Sequence, residues 1–324
     1  MINLTKVLWE SDMKIVLIGA SGFLGRHLLK KLMAEQHQCV VLTRVAARRG
    51  SISLLPGVEL VQTDVFATAA LAEQFSGADA VVSMAGILNE SGKGGKGFQR
   101  VHVDLVKGII AACRQAGVSR LLHVSALNAG QGSSHYLKSK GQSEALLRSA
   151  DDLNISIFQP SVIFGSGDQF FNRFASMLKT MPVMPLACPD ARLQPVYAGD
   201  VANVMVASLD DPKTWGESYE LAGPQIYTMK ELLEWTAKNM GLRRKIVGLP
   251  GPLSATMAVL MGLVPGKPFS WDNYQSLQTD STSSRNDFDY FGIEPCSIDQ
   301  VVPSYLTGSL RQRRLRNVRR QPRR

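Results

Sequence analysis

The stretch MKIVLIGASGFLG at residues 13–25 decides the fold. Its first half is a short run of apolar, mostly β-branched or aliphatic residues that ends at Gly19, which is typical of a strand buried on both faces of a parallel sheet. Its second half has the spacing G-x-x-G-x-x-G, and apolar residues at helical spacing follow over 23–36. A strand, a glycine-rich turn and a helix start in this order predict a turn that binds dinucleotide phosphates.

Each glycine of this turn has its own role in that prediction. Gly19 permits the tight turn after the strand, Gly22 lets the backbone approach a pyrophosphate, and Gly25 lets the helix pack closely on the strand. The helix N-terminus supplies free N–H groups and a partial positive charge. The alternative is a glycine-rich turn without a ligand; a GxxxxGK[ST] phosphate loop is absent from the sequence.

Strands and helices alternate from residue 13 to about residue 160. This alternation predicts an α/β fold, a doubly wound parallel sheet of the Rossmann type with a smaller mixed C-terminal lobe. The further predicted strands are 39–43, 58–63, 79–84, 120–125 and 155–159, and the main helices between them are 68–76, 98–117 and 136–150. The expected parts are an N-terminal extension (1–12, with Met13 as an alternative start), the nucleotide-binding core (13–165, with a return segment 190–222), the smaller substrate or partner lobe (166–189 and 223–307) and a disordered basic tail (308–324).

Composition and charge exclude several classes of protein. The chain has 324 residues, 45% hydrophobic and 19% charged, which is a globular mix and not that of a disordered, collagen-like or coiled-coil chain. Residues 311–324 contain eight arginines and no acidic residue, so they supply +8 of the net charge of +9 and leave +1 for residues 1–310. A nearly neutral body argues against a specific nucleic-acid-binding face.

Cysteines, histidines and apolar runs indicate the compartment. The four cysteines form no CxxC pair and the five histidines no metal-binding pattern, so we expect a reducing compartment and no metal site. The N-terminus lacks the apolar core of a secretory signal. The longest apolar run, 253–264, is shorter than the about 20 residues that cross a bilayer. We therefore expect a cytoplasmic protein, with a peripheral location on the inner face of the membrane as the alternative.

The end of the second strand indicates the type of nucleotide. An NAD site places an acidic residue there to hold the ribose 2′-hydroxyl, but Arg44 stands at that position, with Arg48 and Arg49 beyond it. A guanidinium suits a 2′-phosphate, so NADP is favoured over NAD. The alternative is a solvated arginine loop. Asp64, which ends the third strand, is expected either to contact the adenine or to cap the next helix.

Ser125, Tyr136 and Lys140 form a second set of candidate residues. Tyr136 and Lys140 are four residues apart at the start of a helix and therefore share one of its faces. A nearby ammonium lowers the pKa of a phenol, which makes the tyrosine a usable acid or base. The Ser125 hydroxyl, at a strand end, is placed to hold a substrate carbonyl.

With these residues, the chain resembles the extended or atypical short-chain dehydrogenase/reductase superfamily of NAD-dependent epimerase/dehydratase-like proteins. GASGFLG (19–25) matches its nucleotide motif, and Ser125, Tyr136 and Lys140 match its Ser-Tyr-Lys set. Five further segments resemble bacterial relatives of the nucleotide-binding accessory subunit of respiratory complex I: 85–92, 102–127, 159–177, 193–202 and 219–234. One departure is Met84, where the superfamily often has Asn.

The resemblance implies a bound NADP(H) and a set of residues around it. It assigns the dinucleotide to Gly19, Ser21, Gly22, Phe23, Leu24, Gly25 and Arg44, the adenine to Asp64 and Val65, the ribose to Ala85 and Gly86, and the nicotinamide to Ser125, Tyr136, Lys140, Pro160, Ser161, Val162 and Ile163.

Two functions from different classes follow. The first is an NADP-dependent oxidoreductase or epimerase/dehydratase, in which Tyr136 is the general acid/base, Lys140 tunes its pKa and anchors the nicotinamide ribose, and Ser125 orients the carbonyl of a small-molecule substrate. The second is a non-catalytic protein that holds NADPH to stabilise a respiratory complex or another partner. A nucleotide-regulated sensor is a third option.

Three other features carry alternatives. Phe170, Phe171 and Phe174 are expected in the core of the smaller lobe, with a substrate pocket as the alternative. The run 253–264 is expected to be a buried helix of that lobe, with contact to a membrane or a quinone tail as the alternative. The arginine tail is expected either to be a solvated, disordered end or to bind acidic lipids, nucleic acid or an acidic protein. Together with 253–264, it is a candidate for association with a respiratory complex or a membrane surface.

Overall fold

The computed structural model describes residues 13–44, 57–90, 92, 94–264 and 267–306. The strands, numbered in chain order, are β1 (Lys14–Ile18), β2 (Gln38–Thr43), β3 (Val58–Gln62), β4 (Ala80–Ser83), β5 (Arg120–Val124), β6 (Asn154–Pro160), β7 (Ile163–Phe164), β8 (Val183–Leu186), β9 (Arg192–Leu193), β10 (Val196–Tyr197), β11 (Ser218–Leu221), β12 (Tyr227–Thr228) and β13 (Lys245–Gly248). The helices are α1 (Phe23–Ala34), α2 (Thr68–Phe75), α3 (Lys96–Phe98), α4 (Leu105–Ala116), α5 (His135–Arg148), α6 (Phe171–Thr180), α7 (Ala198–Ala207), α8 (Met229–Asn239), α9 (Gly251–Gly262), α10 (Trp271–Ser276) and α11 (Ile298–Leu306). A π-helix (Gln99–Asp104) joins α3 to α4, and two 3₁₀-helices cover Pro212–Thr214 and Asp287–Phe291.

Seven parallel strands form the central sheet in the order β11-β6-β5-β4-β1-β2-β3. In the middle of this sheet, Leu17 pairs with Val41 on one side and with Val82 on the other. The predicted α/β fold is therefore confirmed. The strand order reverses between β1 and β4, and in such sheets the crevice outside the carboxyl ends of the strands at this point binds ligands.

Each face of the sheet has its own hydrophobic core. Ile15 and Leu17 of β1 pack with α1 and α7 on one face, whereas Val16 and Ile18 pack with α2 and α4 on the other. Because successive side chains of a strand point to opposite faces, a strand covered on both sides must be apolar throughout. This is the physical reason for the unbroken apolar run that precedes Gly19.

A third core belongs to the smaller lobe, where α6, α8 and α11 pack together. Phe171 is fully buried in it, and Phe170 and Phe174 pack against it, with the rings of Phe170 and Phe171 edge to face at 5.1 Å. The interpretation of these three residues as core is therefore confirmed. Three two-stranded pairs, β7–β10, β8–β13 and β9–β12, complete this region.

The expectation of a buried helix at 253–264 is wrong. α9 buries only Ser254 and Ala258, and Leu253, Val259 and Leu260 are exposed. A helix that is apolar all round carries no sequence signal for its buried face, and here the small residues make the contact. None of the described helices is long and apolar enough to cross a membrane. Residues 1–12, Arg48, Arg49 and the tail 308–324 lie outside the described residues.

Candidate functional site

The glycine turn between β1 and α1 is built so that two of its positions accept no side chain. Gly19 has a φ of +87°, and a Cβ on it would lie 2.7 Å from the backbone nitrogen of Ala85. A Cβ on Gly25 would lie 2.2 Å from the Cα of Ala20. The tight turn and the close packing of helix on strand therefore both require glycine.

The N-terminus of α1 is open to an anion. Gly22 is the N-cap residue and offers no side-chain cap, and the first turn contains no acidic residue. The N–H of Gly22 donates to the carbonyl of Gly19 at 3.0 Å. The helical hydrogen bonds then begin with the N–H of Arg26, which donates to the carbonyl of Gly22. The N–H groups of Phe23 and Leu24 thus remain for a ligand, and the helix dipole adds a partial positive charge.

A cleft of about 310 Å³ opens in front of this turn. It lies where the strand order reverses, between the carboxyl ends of β1, β2 and β4. The predicted residues that line it are Gly19, Ser21, Gly22, Phe23, Leu24, Gly25, Arg44, Val65, Ala85 and Gly86. Sequence reasoning missed other lining residues, among them Phe66, Ile87, Val101 and Leu105.

Two guanidinium groups stand over the ring of Phe66, which lines the cleft; Arg44 also lines the cleft, whereas Arg100 does not. The Cζ of Arg44 lies 5.6 Å from the ring centroid of Phe66, and the Cζ of Arg100 lies 4.3 Å from it. Arg100 comes from the π-helix and was not predicted. Asp64 does not line the cleft; its carboxylate accepts the N–H of Phe66 at 3.0 Å and holds the turn before α2.

The predicted residues Ser125, Tyr136 and Lys140 are not among those that line the cleft, but Lys140, on α5, lies close to Gly86, which does line it. The side chain of Lys140 is buried, its Nζ donates to the carbonyl of Val124 at 3.0 Å, and the same atom lies 3.8 Å from where a Cβ on Gly86 would stand. Burial lowers the pKa of Lys140 to about 8, against the opposing charge of Glu144. Ser125, which follows Val124, is buried, and its hydroxyl has no hydrogen-bond partner among the described residues.

Tyr136 stands in the first turn of α5, one turn before Lys140. Its ring meets those of Phe98 and His102 edge to face, at 6.2 and 5.6 Å between centroids. Burial raises the pKa of Tyr136 to about 12. This direction is opposite to the predicted lowering by Lys140, because desolvation dominates and the Lys140 ammonium donates to a strand carbonyl.

His102 is a site residue that sequence reasoning missed. Its Nε2 accepts the N–H of Ile87 at 3.1 Å, so its proton is on Nδ1, which lies 2.8 Å from the Ser139 hydroxyl. Ser139 in turn donates to the carbonyl of Tyr136 at 2.8 Å. Burial and the charge of Lys140 lower the pKa of His102 to about 2, so the ring is neutral. His102 therefore ties the loop after β4 to the helix that carries Tyr136.

The structure does not bring the predicted segment Pro160–Ile163 into the lining of the described cleft. The Ser161 hydroxyl lies 2.9 Å from that of Ser281, and the carbonyl of Val162 accepts the N–H of Val196 at 3.0 Å. Pro160 ends β6, and Ile163 begins β7. These four residues connect the sheet to the smaller lobe.

The arrangement fits a dinucleotide. An uncapped helix end faces a cleft that glycines line, and the guanidinium of Arg44 borders this cleft beside Phe66. In the described part of the chain, no three His, Cys, Asp or Glu residues are grouped to hold a metal ion.

Comparisons with known proteins agree with this geometry. A family model described as NAD(P)H-binding matches residues 19–212. The NADH dehydrogenase [ubiquinone] 1 alpha subcomplex subunit 9 of Mus musculus is 30% identical over 273 residues, 80% of this chain and 70% of that protein. The Dictyostelium discoideum protein of the same name is 30% identical over 222 residues, 67% of this chain but only 61% of its own length. A ceramide reductase of Caulobacter vibrioides is 29% identical over 251 residues, 76% of this chain and 77% of that enzyme.

Solved structures share the fold. A nucleoside-diphosphate-sugar epimerase of Staphylococcus aureus has a TM-score of 0.70 at 21% identity, and the match covers 91% of this chain and 99% of that one. A dTDP-glucose 4,6-dehydratase of Streptomyces venezuelae, solved with NAD bound, has a TM-score of 0.64 at 22% identity over 74% of this chain and 85% of its own. The chain therefore belongs to the NAD(P)H-binding family and has the fold of short-chain dehydrogenase/reductase-like epimerases and dehydratases.

Proposed function

We propose that the protein is an NADPH-dependent oxidoreductase that acts on a carbonyl substrate through Ser125, Tyr136 and Lys140. The observation that carries the proposal is the buried Ser125 hydroxyl, which has no partner in the described residues although it adjoins the carbonyl that holds Lys140. A buried polar group without a partner costs about 1–3 kcal/mol. A substrate carbonyl that accepts from this hydroxyl would remove that cost.

In this proposal, the remaining residues orient the substrate and handle a proton. The bound nicotinamide supplies a hydride. Tyr136 keeps its proton at neutral pH, because burial holds its pKa near 12, and donates it as negative charge develops on the substrate oxygen. The Lys140 ammonium, one turn further along α5, would stabilise the developing charge. His102 holds the first turn of α5 in place through Ser139.

Selectivity for NADPH over NADH is part of the proposal. The ribose 2′-phosphate of NADPH would lie between Arg44 and Arg100, which both stand over Phe66. Neither guanidinium has an acidic neighbour at this edge of the cleft among the described hydrogen bonds and ion pairs, and Asp64 is engaged with Phe66. An acid that would select the 2′-hydroxyl of NADH is absent from the end of β2, where Thr43 and Arg44 stand.

A second candidate function is a non-catalytic NADPH-binding protein that assembles with a respiratory complex. The relatives named as alpha subcomplex subunit 9 of NADH dehydrogenase favour it. Two features of the structure favour it as well: the Lys140 ammonium is engaged in a hydrogen bond to the carbonyl of Val124, and burial raises the pKa of Tyr136. In this case, the location would be the inner membrane surface.

Substitution of Tyr136 distinguishes the two functions. Purified protein is screened for NADPH oxidation with ketones, quinones and nucleotide sugars, including a long-chain keto-lipid because one relative is named a ceramide reductase. For an enzyme, Tyr136→Phe should lower kcat by about 10²–10⁴-fold, the usual effect of a positioned proton donor, and leave NADPH affinity nearly unchanged. Lys140→Met should impair both.

Two results would contradict the enzymatic proposal. One is an activity that the Tyr136→Phe variant retains at full rate. The other is the absence of turnover across the panel combined with bound NADPH that does not exchange, which would support the accessory function instead. Mass spectrometry of the nucleotide that copurifies with the protein identifies it directly.

A further inference from the structure

The smaller lobe exposes an apolar surface that the proposed function leaves unexplained. On and just after α9, Leu253, Leu260 and Leu263 are 54%, 60% and 75% exposed. Trp271 at the start of α10 is 47% exposed. Large apolar side chains exposed together on a folded protein indicate a surface that binds something.

These residues belong to one packed unit, which we call the α9–α10 unit (251–264 and 267–276). α9 packs against α10, and a Cβ on Gly262 would lie 4.0 Å from the Cα of Ser270. Leu263 follows Gly262 and Trp271 follows Ser270, so these two residues lie close together in the fold.

The charge around this unit selects the occupant. From Thr236 to Ser276 the chain contains five basic residues and one acidic residue, Asp272, whose carboxylate accepts backbone N–H groups of His135 and Tyr136. Arg243 and Lys245, just before α9, are exposed. Anionic lipid headgroups attract Lys and Arg side chains near a membrane surface, by about 1 kcal/mol for each residue.

We propose that the α9–α10 unit docks on the surface of a membrane that contains anionic lipids, with Leu253, Leu260 and Leu263 entering the interface. Self-association is the competing occupant. A two-fold interface would place the same surface of two copies together, and hence bring the like charges of Arg243 and Lys245 from both copies to one interface. That repulsion disfavours the interface, whereas an anionic membrane attracts the same charges.

Co-sedimentation of the full chain with vesicles tests this proposal. The vesicles are phosphatidylcholine with phosphatidylglycerol, and pure phosphatidylcholine as the neutral comparison. Leu260→Ser combined with Leu263→Ser should weaken partition into the anionic vesicles by about tenfold or more. Ile226→Ser is the matched control, because Ile226 is 43% exposed elsewhere on the smaller lobe, and it should leave partition unchanged.

Trp271 provides a direct readout of depth. Its fluorescence, taken as the difference between the wild type and Trp271→Phe, should be quenched by brominated lipid in the anionic vesicles. Arg243→Gln with Lys245→Gln should weaken binding at low salt and have less effect at high salt. The basic tail is unchanged in all these variants, so a difference between them reports on the α9–α10 unit.

Three results would overturn the proposal. The first is equal partition of the wild type and the Leu260→Ser, Leu263→Ser variant. The second is the absence of Trp271 quenching by brominated lipid. The third is a wild-type dimer and a monomeric leucine variant in sedimentation velocity, with equal vesicle binding of the two proteins. This result would assign the surface to self-association. NADPH affinity should be the same in all variants, so this test is independent of the proposed catalysis.

Discussion

Removal of Arg44 and Arg100 is the most direct test of nucleotide selectivity. Both guanidinium groups stand over Phe66, at 5.6 and 4.3 Å from its ring centroid, beside the cleft that Phe66 and Arg44 line. A hydrogen bond to a charged group contributes about 1.5–3 kcal/mol. Both arginines are exposed, so solvent and salt screening place each near the lower end of that range. Each Arg→Ala change should then weaken NADPH binding by about tenfold.

The double variant Arg44→Ala, Arg100→Ala should lose less than the product of the single effects, because both side chains would contact one phosphate. NADH lacks this phosphate, so its affinity should stay nearly the same in every variant. Titration calorimetry with both nucleotides measures this, at low and at high salt. Lys107→Ala is the matched control, because it removes one exposed positive charge on α4 outside the cleft.

Some outcomes would refute this reasoning. Equal affinity of the wild type for NADPH and NADH would exclude a 2′-phosphate site. An equal loss for both nucleotides in the double variant would mean that the arginines act on the shared adenine or pyrophosphate. A loss with Arg44→Ala but none with Arg100→Ala would limit the site to the residue that the sequence predicts.

Three further predictions concern packing, pH and the tail. Gly25→Ala would place a methyl group 2.2 Å from a backbone atom and should lower the free energy of unfolding by about 1–3 kcal/mol or more. The Cβ of Gly108→Ala would meet only a side-chain oxygen at 3.5 Å, so this change should raise the free energy of unfolding by up to about 1 kcal/mol. Thermal melts compare the two variants. The pKa of Lys140 is lowered to about 8, below its value in the unfolded chain, so the unfolded chain binds the extra proton above that pH. The free energy of unfolding should therefore rise with pH from about 8 to about 10.4 in the wild type but not in Lys140→Met, and turnover that needs the ammonium should fall over the same range. Removal of 311–324 should leave the melting temperature and NADPH affinity nearly unchanged, and a large loss of either would show that the arginines contact the folded body.

The nucleotide end of the site was predictable because its determinants are contiguous in sequence. Gly19, Gly22 and Gly25 follow one strand directly, and the pattern itself specifies which backbone atoms approach each other. Arg44 and Val65 were within reach of the same argument, since the carboxyl ends of parallel strands meet at one edge of the sheet.

The missed residues depend on contacts that no local pattern encodes. Arg100 and His102 lie in the π-helix, which inserts a residue into the helical repeat and so changes which side chains face the cleft. The spacing of apolar residues over 98–117 indicates a regular helix and gives no sign of this insertion. The pKa of Tyr136 was predicted in the wrong direction for a related reason, because burial by Phe98 and His102 is a property of the assembled fold.

The substrate end of the site depends on the smaller lobe. The carboxylate of Asp272, on α10, accepts the N–H groups of His135 at 2.6 Å and of Tyr136 at 3.2 Å. It thereby compensates the N-terminus of the helix that carries the proposed acid/base. The same unit holds the loop after β4, because Lys267 Nζ donates to the carbonyl of Glu90 at 2.8 Å.

The two ends of the cleft are therefore specified differently. The glycine turn of the nucleotide end is formed by the end of β1 and the start of α1, whereas Tyr136 is held by α10, and α10 packs against the exposed α9. A partner of α9, whether lipid or protein, is connected to Tyr136 through two contacts: α9 packs against α10, and Asp272 of α10 accepts the N–H of Tyr136. In an enzyme this coupling would link substrate access to the surface on which the protein docks. In an accessory protein it would link nucleotide occupancy to the same surface, so vesicle binding measured with and without NADPH reports on the coupling under either function.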